Sequence, residues 1–166
     1  MKRILTILLA LFIGLSMSAQ IQNMILGFTL GTSTKNEVRD KYKNEIIFAE
    51  EGDDISVGNL EFAGQTWNIT NFHFYNNRLL YVLFSISEPS TPSDIITSAF
   101  ESFKVKLWEK YSDYYLKDCS TSDFIMYTDN KTYLALSSSD GLSLIYSDCA
   151  LSEQQMGLEM MNCIKI

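Results

Sequence analysis

Trp67-Asn-Ile-Thr-Asn-Phe-His-Phe-Tyr-Asn-Asn-Arg-Leu-Leu-Tyr-Val-Leu-Phe-Ser-Ile-Ser87 is the stretch that decides the fold. On both sides of Asn76-Asn77 it carries the aromatic and β-branched residues of strands, with the alternation that a pleated sheet imposes. Asparagine tolerates positive φ better than most residues, so the pair reads as a two-residue hairpin turn. Such a turn sets Phe74 opposite Leu79, His73 opposite Leu80 and Ile69 opposite Phe84. One face then carries Trp67, Ile69, Leu80, Val82, Phe84 and Ile86, and the other carries Phe72, Phe74, Leu79, Tyr81 and Leu83. Both faces are apolar near the turn. The hairpin is therefore central in its sheet, or one face meets a partner.

Working outward toward the N-terminus, Val57–Phe62 reads as a strand closed by Ala63-Gly64, and Glu50-Glu-Gly-Asp-Asp54 as a polar loop. Thr34-Lys-Asn-Glu37 is a capping box, and Val38, Tyr42 and Ile46 follow at spacing four, predicting a helix over about 34–45. Met24–Leu30, closed by Gly31, is a strand or a packed lead-in segment. Toward the C-terminus, Thr91, Pro92 and Asp94 open a second helix whose stripe is Ile96, Phe100, Phe103, Leu107 and Tyr111. Strands follow at 114–117, 124–128, 132–138 and 142–148, with turns at Asp129-Asn130 and Asp140-Gly141. Ser152-Glu-Gln-Gln155 reads as a further capping box, opening a helix with Met156, Met160 and Met161 on its apolar side. The class is α+β: one or two antiparallel meander sheets with two or three helices packed on one face, built as two helix-then-meander halves.

A chain of 166 residues, 46% hydrophobic and 20% charged, has the composition of one folded domain and neither of a disordered chain nor of a coiled coil. Its net charge of −7 disfavours nucleic acid as a partner. Lys2 and Arg3, the apolar run Ile4–Leu15 and the small residues Ser16, Ser18 and Ala19 read as a secretory signal peptide (1–19) cleaved near Ala19. At about twelve residues that run is shorter than the ~20 needed to span a bilayer. The mature domain is then 20–166, in the periplasm or outside the cell. No cysteine lies near the cleavage region, which speaks against a lipid anchor.

The run Leu26-Gly-Phe-Thr-Leu-Gly31 with Thr34, Glu37 and Val38 resembles the opening of exported modules related to the SmpA/OmlA outer-membrane-assembly proteins and to β-lactamase-inhibitor-like proteins. Phe62-Ala-Gly64, Trp67 and the Phe72–Leu79 hairpin also resemble small secreted proteins of Bacteroidetes-type bacteria. The first resemblance implies helices on an antiparallel sheet that binds proteins and performs no chemistry.

Catalytic signatures are sparse. His73 is the one histidine, there is no G-x-S-x-G elbow, and the acids Glu50, Glu51, Asp53 and Asp54 lack the spacing of a Ca²⁺ loop. There is no phosphate loop or dinucleotide fingerprint, so no cofactor and no metal is implied. The sequence thus points to an exported binding module that contacts a protein or envelope partner through Phe72, Phe74, Leu79, Tyr81 and Leu83. The alternative is a small exported hydrolase with an unrecognised carboxylate pair; a third is a self-associating envelope protein.

Of the cysteines, an up-down meander puts Cys119 and Cys149 at opposite ends of strands about 20 Å long. The helix opened by Ser152 holds Cys149 and Cys163 roughly 17 Å apart. A disulfide needs Cα atoms within about 7 Å, which leaves Cys119–Cys163 as the favoured bridge and Cys149 as the free thiol.

Overall fold

A computed structural model describes residues 20–87 and 91–156. A tight hairpin of β1 (Met24–Ile25) and β2 (Phe28–Thr29) leads into α1 (Lys35–Tyr42) and the meander β3 (Phe48–Glu51), β4 (Asp54–Phe62), β5 (Gln65–Tyr75) and β6 (Arg78–Ile86). Then come α2 (Ser93–Tyr111), two 3-10 turns (Ser112–Tyr114 and Lys117–Cys119), the meander β7 (Phe124–Thr128), β8 (Thr132–Ser137) and β9 (Leu142–Asp148), and α3 (Cys149–Met156). The two meanders join edge to edge through β6 and β9, giving one antiparallel sheet in the order β3-β4-β5-β6-β9-β8-β7. The chain is thus two helix-then-meander halves sharing a sheet, and the Asn-Asn hairpin stands near its centre.

Asn76 and Asn77 both take positive φ, 51° and 58°, the mirror-image turn whose twist matches the strands it joins. Phe74 pairs with Leu79 as expected, but the register shifts between His73 and Phe74. Leu80 is the extra residue of a β-bulge, so His73 meets Tyr81 and Ile69 meets Ser85. A one-residue slip exchanges the faces of a strand, and this corrects the expected grouping. Phe72, Phe74 and Leu79 join Val82 and Phe84 in the core, while Tyr81 and Leu83 point to the other side. A second irregularity sits at Asn59 (φ 58°), where the β4–β5 ladder skips a pair and Trp67 turns into the core against Phe84 and Phe103.

Two rows of side chains cross the sheet on its core face: Ile55–Phe72–Val82–Tyr146–Leu134–Tyr127 and Val57–Thr70–Phe84–Leu144–Leu136–Ile125, all buried. α2 covers them with the predicted stripe, every member of which is buried. α1 contributes Val38 and Tyr42, and Tyr42 and Phe28 close on Phe72, each with ring centroids 5.7 Å away. The Thr34–Glu37 capping box forms in both directions.

Several boundaries differ from expectation. α1 ends at Tyr42, where the Glu45 amide bonds back to the Tyr42 carbonyl in a tight turn, and Ile46 is left fully exposed. Glu50-Glu51 belongs to edge strand β3, so the expected loop shrinks to Gly52-Asp53. Segment 114–117 is no strand: it makes a single bridge, Tyr115 to Tyr127, that caps the β7 edge. α2 starts one residue later than expected, with Pro92 as its cap position. α3 begins at Cys149, because the Asp148 carboxylate accepts from the Leu151 amide and makes Asp148 the cap; Ser152 lies inside the helix. Residues 1–19, Glu88-Pro-Ser90, Met160, Met161 and Cys163 lie outside the described residues.

Candidate functional site

Strand alternation builds a second face opposite the core. Three rows cross it: Asp54–His73–Tyr81–Ser147–Tyr133–Thr128, then Ser56–Asn71–Leu83–Ile145–Ala135–Met126, then Gly58–Ile69–Ser85–Ser143–Ser137–Phe124. The helices do not all pack on one face: α3 lies on this one, over the first row. The Cys149 thiol lies 3.7 Å from the Thr128 hydroxyl, Ser152 hydrogen-bonds Ser147 at 2.7 Å, and the Gln155 side chain reaches His73 at 3.0 Å. α3 therefore runs across the strands, from β7 and β8 at its start to β5 at its end. Leu80, Ala135, Cys149 and Leu151 are buried yet stand outside the main core, forming a small second one beneath α3.

Beside α3 the other two rows are only half covered. Leu83, Ile145 and Met126 are partly exposed, as are Ile69 and Phe124 in the last row, with Ser85, Ser143 and Ser137 between them. An apolar stripe flanked by hydroxyls thus crosses β6, β9, β8 and β7 with no helix upon it among the described residues.

Polar chemistry on this face centres on His73. Its Nδ1 lies 2.8 Å from Asp54 Oδ1, its ring stacks on Tyr81 at 4.8 Å, and Nε2 faces the Gln155 amide nitrogen. Both ring nitrogens are thus engaged, Nδ1 by the Asp54 carboxylate and Nε2 by the Gln155 side chain. A hydrolytic dyad would need a nucleophile at Nε2, and Ser147 of the same row stands two strands away, about 10 Å. Burial and the nearby Asp54 carboxylate raise the Tyr81 phenol, so it stays protonated at neutral pH. Among the described residues no three His, Cys, Asp or Glu side chains gather to hold a metal ion, and no helix is long and apolar enough to cross a membrane.

Of the five residues expected to form a contact face, Phe72, Phe74 and Leu79 are buried in the core, and only Tyr81 and Leu83 lie on the second face. Sequence reading missed Ile145, Met126, Ile69, Phe124 and Tyr133, whose signal was the period-two alternation of the later strands once registered against β6. The acidic group also divides: Glu50 pairs with Arg39 and Lys35, while Asp54 serves His73. Cys119 leads into the start of β7, and the Cys149 amide bonds to Lys131 in the turn at that strand's far end. Cys149 is a free thiol and burial pushes it up to about 11; the proposed partner of Cys119, Cys163, lies outside the described residues.

Comparisons with models of known protein families, with curated proteins and with solved structures found no match to this chain.

Proposed function

We propose that the chain is an exported, non-enzymatic binding module that contacts a protein partner through the second sheet face. The observation that carries this reading is the partly exposed group Leu83, Ile145 and Met126, continued by Phe124, on a sheet whose opposite face is fully packed. Contiguous apolar surface of this kind, rimmed by hydroxyls, marks interaction sites. The protein-binding role implied by the resemblance of the 26–38 run agrees with it, and export rests on the n-region and apolar run of residues 2–15. The partner surface has an apolar centre and, facing an acidic chain, a basic rim.

A Leu83→Asp/Ile145→Asp variant with the wild-type circular dichroism spectrum tests the site. Purified chain immobilised in an envelope extract of the producing cells should retain a protein that the variant loses. Equal retention by both overturns the assignment of the face. Intact mass of the exported chain tests the address: the mature N-terminus should fall within two residues of Gln20, and retention of residues 1–19 refutes export with cleavage.

A further inference from the structure

We propose that the exported chain is modified at its N-terminus, with Gln20 closed to a pyroglutamate. The proposal rests on the export reading above and names the chemistry that cleavage after Ala19 opens. While Ala19 acylates the Gln20 nitrogen, that nitrogen is an amide and unreactive. Cleavage turns it into an α-amine. The amine then attacks Cδ of its own side chain: a new N–Cδ bond closes a lactam, and the bond from Cδ to the carboxamide nitrogen breaks. The departing nitrogen takes one amine proton and leaves as ammonia. Nothing is oxidised or reduced, and no co-reactant enters. Both reacting groups belong to one residue, which gives closure the advantage of an intramolecular step. An α-amine titrates at about 7.7–8.0, so part of it is the neutral nucleophile at pH 7.

The fold leaves Gln20 free to react and makes its neighbour costly to lose. Gln20 is exposed and precedes the first strand, and among the described residues its side chain makes no hydrogen bond. One residue later the chain is fixed. Ile21 is buried, and its N–H donates to Asp129 Oδ2 at 3.1 Å. Oδ1 of the same carboxylate accepts from the amides of Lys131 and Thr132, which ties Ile21 to the β7–β8 turn. Ring closure turns only torsions of residue 20 and leaves the Ile21 N–H on Asp129. Ile21, Ile25, Phe28 and Leu30 all belong to the core, so this terminal segment is structural although its end faces solvent. Exposed ends are where proteolysis begins. Trimming past Gln20 would strip a buried isoleucine and its bond to Asp129. An aminopeptidase grips a free α-amine, and the lactam has none, so the ring seals the segment and removes the terminal positive charge.

Mass spectrometry tests the modification on protein exported by the producing cells. The tryptic peptide Gln20–Lys35 is sequenced, with an isotope-labelled synthetic copy of the open form added at the first purification step to report closure during handling. The expected peptide is lighter by one ammonia, the loss lies on residue 20 in most molecules, and the labelled copy stays mostly open. An open Gln20 in the exported chain, equal closure of the labelled copy, or a mature chain beginning at another residue overturns the pyroglutamate and leaves export standing. Retention of residues 1–19 overturns the export reading and the proposal with it. Exported Gln20→Ala, whose end stays open, reads the protective role: an aminopeptidase should shorten this variant and leave the wild-type mass unchanged. Shortening of both chains, or of neither, overturns that role.

Discussion

Truncating Phe72 and Leu83 to alanine separates the two faces of the sheet in one experiment. Phe72 is wholly buried, edge-on to Phe28 and tilted against Tyr42, both 5.7 Å away. Buried Phe→Ala changes cost 3–5 kcal/mol, and with two ring pairs lost the estimate here is about 4 kcal/mol. Leu83 borders water on the second face, so its truncation leaves no enclosed cavity. Three carbons at about 0.8 kcal/mol each, halved for partial exposure, come to about 1 kcal/mol. Urea unfolding followed by tryptophan fluorescence measures both. At a slope of about 2 kcal/mol per molar, the midpoint falls by about 2 M for Phe72→Ala and about 0.5 M for Leu83→Ala. Without the bulge at Leu80 the two residues would share a face and an environment. Equal losses would therefore refute the bulged register and the division of faces built on it.

Thr34→Ala removes the side-chain half of the capping box, the acceptor for the Glu37 amide, and should cost about 1 kcal/mol, read as a fall of a few degrees in the thermal melt; no change would mean that packing of Tyr42 alone fixes α1. Hydrogen bonds from Arg39 and then Lys35 hold the Glu50 carboxyl down at about 2, so this contribution is full above the unfolded value near 4.5 and is lost as pH falls toward 2. In Arg39→Met/Lys35→Met the Glu50 carboxyl should titrate close to 4.5 by NMR. Because burial pushes the Cys149 thiol up to about 11, iodoacetamide at pH 8 should leave it unmodified in the native chain and alkylate it in urea.

Local chemistry made much of this fold legible. Positive φ at Asn76-Asn77, the reciprocal Thr34–Glu37 cap and the 3.6-residue stripe of α2 are each decided by neighbouring residues, and each formed where the pattern placed it. The misreadings have long-range causes. Leu79-Leu80 carries no local mark of a bulge; it arises because Leu79 must bond Ser33 and Gly31 of the segment before α1 while the rest of β6 pairs with β9. Ser152-Glu-Gln-Gln155 had the letters of a capping box, but Asp148, three residues before Leu151, reached the orphan amides first. The binding face was half legible. Tyr81 and Leu83 were named, yet their neighbours Ile145, Ala135 and Met126 come from the other meander, and only the β6–β9 junction brings them alongside.

The central claim is that this second face, and no other exposed apolar surface, does the binding. α2 offers a rival in Ile95, Val105 and Trp108, and the α1–β3 turn another in Ile46 and Ile47, all largely or partly exposed. Hydroxyl-radical footprinting of the purified chain, alone and with the protein it retains from the envelope extract, compares them directly. The account predicts that Leu83, Ile145, Met126 and Phe124 become protected together while Trp108 and Ile46 keep their free-chain oxidation rates. Protection of Trp108 or Ile46 with Leu83 and Ile145 unchanged would contradict it.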